Sequence, residues 1–160
     1  MRTTSIVLLP HAPASVAIAR RHLSAELLAS GVTESIVDDA TVVVSELLSN
    51  ALRHARPLPS GQIRVAWNQL GDALEVSVSD GGAATEPRRS RPTLSSLGGR
   101  GLGIVETLAD CWGVRHEADG GISVWAVLRV PQPAKAPHPV VSGMSDLSGP
   151  PAANLLNGNR

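Results

Sequence analysis

The stretch at residues 41–55, TVVVSELLSNALRHA, combines the pattern of a buried helix with polar residues that a core helix does not need. Apolar side chains recur at Ile36, Val37, Ala40, Val43, Val44, Leu47, Leu48, Ala51 and Ala55, the spacing of a helix with one buried stripe. Glu46, Asn50 and His54 follow at intervals of four, so they stack along one face, with Arg53 beside Asn50 and His54. A carboxylate, a carboxamide, an imidazole and a guanidinium in one row can hold a metal-bound polyphosphate. A solvated outer face has the same look, and the helix alone does not separate the two.

Working outward, Glu34, Asp38 and Asp39 suit the positive N-terminal end of this helix, with Thr33 as its cap. Upstream, Ser5–Leu9 is a short β-like run closed by Pro10. A helical pattern over Ala14–Ser30 follows, opened by Pro13 and stopped at Gly31. Downstream, Pro57–Gly61 makes a turn. Gln62–Asn68 and Leu74–Val78 then alternate around Gly71-Asp72, as a β-hairpin does. The second run ends at Ser79-Asp80-Gly81-Gly82. Residues 83–99 carry Arg88, Arg89 and Arg91 without apolar periodicity, and a loop of that length in a compact domain is functional or disordered. Gly101–Trp112 reads as a helix ended by Gly113. Val114–His116 and Ile122–Val130 read as strands joined by a Gly120-Gly121 turn.

With 160 residues, one domain is the default, spanning 1–130, and a chain of this length buries roughly two thirds of its unfolded surface. From Pro131 onward Pro, Ala, Ser, Gly and Asn dominate, which predicts a disordered tail over 131–160. Fourteen basic residues balance fourteen acidic ones, which argues against binding nucleic acid or an acidic membrane through bulk charge. The single cysteine, Cys111, excludes an internal disulfide framework and a cysteine zinc cluster, and reads as a packing residue of a reducing, cytoplasmic compartment. No apolar run reaches the ~20 residues of a membrane span, and the N-terminal apolar run is too short for a secretory signal.

Two glycine motifs remain. Gly98-Gly99-Arg100-Gly101-Leu102-Gly103 leads into a helix, where bare backbone N–H groups and the helix end can approach phosphate; as a flexible hinge it would look the same. It is neither the dinucleotide fingerprint nor a Walker loop, since no Gly-Lys-Ser/Thr follows. Asp80 before Gly81-Gly82 is a common turn former, or an acceptor for an exocyclic amine at a pocket floor.

The order of these parts resembles the GHKL superfamily of ATP-binding domains, the Bergerat fold, and within it the small bacterial anti-sigma-factor serine kinases and their relatives. The residues that carry the resemblance are SELLSNALRHA (45–55), Asp80-Gly81-Gly82, GGRGLGIV (98–105), Trp112-Gly113-Val114 and Val124-Trp125, and it covers roughly 10–130. The fold it implies is an α/β (α+β) two-layer sandwich, a mixed β-sheet covered on one face by helices and often found as a homodimer.

For function, the resemblance implies ATP and Mg²⁺ as cofactors. Asn50 would supply an oxygen to Mg²⁺, and Glu46 would be the general base. Arg53 and His54 would approach phosphates or ribose. Asp80 would accept from the adenine amine, with Gly82 admitting the ring and Ser123 sharing a water. Gly99, Gly101 and Gly103, with Arg100 and Leu102 between them, would wrap the phosphates under a lid at 83–98. The γ-phosphate would go to a serine on an antagonist protein, while a sigma factor competes for the same protein. The alternative is a non-catalytic module that uses ATP only to order its lid. The chain departs from its relatives at Gly121-Ile122-Ser123, where Gly-Lys-Thr is common, and in its arginine-rich lid.

Overall fold

The structure, a computed structural model, describes residues 3–82 and 100–131. The proposed lid at 83–98, Gly99, the tail at 132–160 and the side chains of Arg100 and Gly101 lie outside the described residues. The elements run β1 (Thr3–Pro10), α1 (Ala14–Ala29), α2 (Glu34–His54), β2 (Gln62–Leu70), β3 (Ala73–Asp80), α3 (Arg100–Leu108), β4 (Cys111–His116) and β5 (Ile122–Arg129).

The five strands form one sheet in the order β1-β2-β3-β5-β4. Alternate residues of the strands enter the core: Ile63, Val65 and Trp67; Leu74, Val76 and Val78; Val124, Ala126 and Leu128. They meet Ala19, Leu23 and Leu27 of α1, the apolar stripe of α2, and Leu102 and Val105 of α3. One continuous core therefore separates a helical layer from one face of the sheet, as the two-layer expectation has it. Each fully buried Leu or Val contributes roughly 1.5–3 kcal/mol, and α2 places Val37, Ala40, Val43, Val44, Leu47, Leu48 and Ala51 in this core. No helix among the described residues is long and apolar enough to cross a membrane.

Three expectations are corrected. The sheet is antiparallel throughout its described pairs rather than mixed. The crossover through α3 does leave β4 running in the same direction as β3, but β5 returns between them and pairs with both. The helix expected over Gly101–Trp112 ends at Leu108. Ala109 N–H closes on Val105 O at 2.8 Å, and Asp110 N–H then donates to Val127 O at 2.8 Å, which hands the chain to the sheet. Trp112 reaches the core through strand alternation, beside Val114. Cys111 is exposed rather than packed, because that same alternation turns it to the face away from the helices.

Thr33 does occupy the N-cap of α2 with extended dihedrals, yet its hydroxyl makes no capping hydrogen bond.

Candidate functional site

β3 delivers Asp80 to the site by simple alternation. Leu74, Val76, Val78 and Asp80 share the core-facing side, so the carboxylate that ends the strand points toward the helical layer. Its residue is only 5 % exposed. Gly82 N–H donates to Oδ1 at 2.7 Å, and no described group donates to Oδ2. Desolvation pushes the Asp80 carboxyl up from an ordinary 3.8 to about 6, against the opposing pull of the Gly82 N–H and of the nearby His11. A desolvated carboxylate with one oxygen engaged and the other open is suited to accept a hydrogen bond from a neutral donor.

Backbone hydrogen bonds join this strand end to the exit of α2. Arg56 N–H donates to Gly82 O at 2.9 Å, and Gly81 N–H donates to Arg56 O at 2.8 Å. The approach is so close that a Cβ on Gly81 would stand 2.2 Å from Pro57 O, which excludes any side chain there. Gly82 turns the chain away at φ +93°, a conformation that L side chains rarely adopt. His11, in the connection from β1 to α1, adds a third strap, with Nε2 3.1 Å from Ala55 O.

Along α2, Asn50 is 9 % exposed, and its carboxamide makes no hydrogen bond to a described residue. The carboxamide is not among the fully enclosed groups left without a partner, so it is open to solvent or to a ligand. Glu46, one turn earlier, is half-buried and forms no ion pair with a described residue. Arg53 and His54 are exposed in the last turn, where cations also suit the helix C-terminus. Arg53 Nε reaches only Ser49 O, at 3.4 Å. Among the described residues no cluster of His, Cys, Asp or Glu could hold a metal by itself. A single Asn oxygen does fit a Mg²⁺ ion, which takes most of its oxygens from phosphates and water.

α3 supplies the remaining predicted residues. Arg100, Gly101, Leu102 and Gly103 form its first turn, whose N–H groups have no acceptor within the helix. The Leu102 side chain is itself core, 1 % exposed, so only its backbone faces a ligand, and with Val105 it anchors α3.

Ser123 is not brought to Asp80. It pairs with Ser79, while Asp80 pairs with Ile122. Directly paired residues share a face, so Ser123 and Ser79 lie on the side of the sheet away from the helices, where Arg64 Nη2 stands 3.5 Å from Ser79 Oγ. The alternation of Ile122, Val124, Ala126 and Leu128 already carried this signal in the sequence. His11 had no such signal, since its partner Ala55 is distant in the chain. A groove of about 700 Å³ between α1 and α2, lined by Arg20, Arg21, Leu28 and Asp38, contains none of these residues.

The chain is similar to known proteins along most of its length. A family model described as the histidine kinase-like ATPase domain matches residues 9–128. A serine-protein kinase RsbW of Listeria innocua is 32% identical over 128 residues, covering 72% of this chain and 80% of the relative. RsbW of Bacillus subtilis is 32% identical over 127 residues, covering 72% and 78%. A crystal structure of the RsbU and RsbW domains of Rv1364c from Mycobacterium tuberculosis superimposes with a TM-score of 0.63 at 23% identity, covering 82% of this chain and 34% of that one, a likeness of fold. A matched stretch that runs from β1 to β5 and takes in Glu46, Asn50 and Asp80 leaves no ambiguity of kinship: the chain belongs to the histidine kinase-like ATPase domain family.

Proposed function

We propose that this chain is a Mg-ATP-dependent protein serine kinase that binds a sigma factor and phosphorylates a serine on an antagonist protein in the cytoplasm. The observation that carries this reading is the pair on α2: a nearly buried Asn50, whose carboxamide bonds to no described residue, one turn after a half-buried Glu46. The names of the Listeria and Bacillus relatives support the reaction class.

In this reading Asp80 Oδ2 accepts from the exocyclic amine of adenine, with Gly82 beside it. Asn50 Oδ1 and the first turn of α3, aided by Arg53 and His54, orient the triphosphate. Bound Mg²⁺ supplies positive charge that offsets the charge on the phosphate oxygens. Glu46 takes the proton of the incoming serine hydroxyl as its oxygen bonds to the γ-phosphorus and the bond to ADP breaks. A nucleotide-binding module without transfer would leave Glu46 without a chemical role.

The two readings separate with Glu46→Gln and ATP labelled at the γ-phosphate, using the cognate antagonist as acceptor. The kinase reading expects unchanged ATP affinity and transfer reduced ~10²-fold or more, the scale of a lost general base. Equal transfer by wild type and variant would remove Glu46 from the chemistry.

A further inference from the structure

The floor that the sheet forms at Asp80 has an apolar neighbour where a polar one was expected. Ile122 faces Asp80 directly across the β3–β5 ladder, on the same side of the sheet, and is half-buried against the edge of the core. Opposed residues of an antiparallel pair hold their Cβ atoms roughly 4.5–5.5 Å apart. Whatever rests on Asp80 therefore also rests on the Ile122 alkyl group. The nearest hydroxyl in sequence, Ser123, belongs to the other face, because one step along a strand reverses the side chain.

The described backbone donors around Asp80 are already engaged. Gly82 N–H is held by Asp80 Oδ1, Gly81 N–H by Arg56 O and Arg56 N–H by Gly82 O. Gly121 N–H donates to Asp119 Oδ1, and His11 Nε2 is taken by Ala55 O. An ordered water needs two to four polar partners, and an isoleucine supplies none.

Adenine presents two groups on the edge that would meet this floor: the exocyclic amine, a donor, and N1, an acceptor. Asp80 answers the first. None of these engaged groups is free to answer the second. Resting on the ATP-binding reading above, we propose that Ile122 is a specificity-determining residue that packs against the N1 edge, so that the base is read through its exocyclic amine alone.

The consequence is an unusual tolerance. Replacing N1 by C–H leaves the amine in place and turns an unanswered acceptor into an apolar edge that suits Ile122. Replacing the amine by a carbonyl sets an acceptor against Asp80 and sets the N1–H that inosine carries against the Ile122 alkyl group, and sites built around a buried hydrogen-bonding group reject such analogues strongly.

Calorimetric titration of the full chain with ATP, 1-deazaadenosine triphosphate and inosine triphosphate, each with Mg²⁺, tests this. The 1-deaza analogue should bind within about twofold of ATP, and inosine triphosphate about tenfold or more weaker. Ile122→Thr restores a hydroxyl on the face of Asp80 and should make ATP preferred over the 1-deaza analogue about fivefold, whereas Ile122→Val should keep the two equal. A wild-type preference for ATP over the 1-deaza analogue of about fivefold or more overturns the inference. Equal binding of inosine triphosphate and ATP overturns it too, because the base is then not read through its exocyclic amine. Either result leaves ATP binding intact, whereas no binding of any of the three sinks the nucleotide reading itself.

Discussion

Two aspartates bracket β3, and their surroundings are opposite. Asp72, just before the strand, meets Arg129 at 2.7 Å, and Arg129 also meets Asp110 at 3.0 Å, all three well exposed to solvent. The hydrogen bond and charge of Arg129 hold the Asp72 carboxyl below its usual range. Asp80, at the other end, is buried and forms no ion pair with a described residue, and desolvation pushes it up to about 6. One end of the ladder thus meets its charges with solvent and ion pairs, as a surface does. The other end keeps a desolvated carboxylate with a free oxygen, an arrangement that lowers stability and is retained where a ligand completes it.

The strongest way to break this contrast is Asp80→Asn. The amide oxygen can still accept from Gly82 N–H, so the local turn survives while the buried charge goes. ATP affinity should fall about 10- to 100-fold, the scale of a lost hydrogen bond to a charged group, while Tm at pH 7 rises. A lower Tm at pH 7 would show that the carboxylate is structural.

The pH dependence sharpens the same point. Asp80 has a raised carboxyl, so the folded state holds a proton that the unfolded chain has released between pH 3.8 and about 6. Its stabilising contribution is complete below that window and is lost as pH rises through about 6. Melting curves of wild type and Asp80→Asn should therefore diverge as pH climbs from 4 to 7, with the variant gaining on the wild type. ATP affinity of the wild type should weaken below pH 6, as the carboxylate takes its proton. Parallel melting profiles for the two proteins would place Asp80 in solvent.

The smallest effect belongs to the opposite end. Arg129→Ala removes both exposed ion pairs and should shift Tm by no more than about 2 °C, because solvent-exposed pairs contribute little. ATP binding should be unchanged, and a large loss there would mean that the two ends are coupled.

Legibility in the sequence followed the range of the interactions. α2, the β2–β3 hairpin and the burial of the apolar stripe were readable because period and turn residues are local. The end of α3 was not, because Leu108, Ala109 and Trp112 continue a helical spacing, and what stops it is the hydrogen bond from Asp110 to a strand further on. Glu46, Asn50 and Asp80 were legible as a constellation through resemblance, but the missing partner of the Asn50 carboxamide is visible only in three dimensions. Ser123 shows the opposite failure. Its hydroxyl fitted an expected role, while the plain alternation of its own strand pointed it away.

The most direct test is calorimetric titration of the full chain with ATP, with and without Mg²⁺, beside Asn50→Ala. The account predicts saturable binding that depends on Mg²⁺ and is lost in the variant, since Asn50 is the described side chain offered to the cation. Unchanged affinity in Asn50→Ala, or no binding of ATP at millimolar concentration, would contradict it.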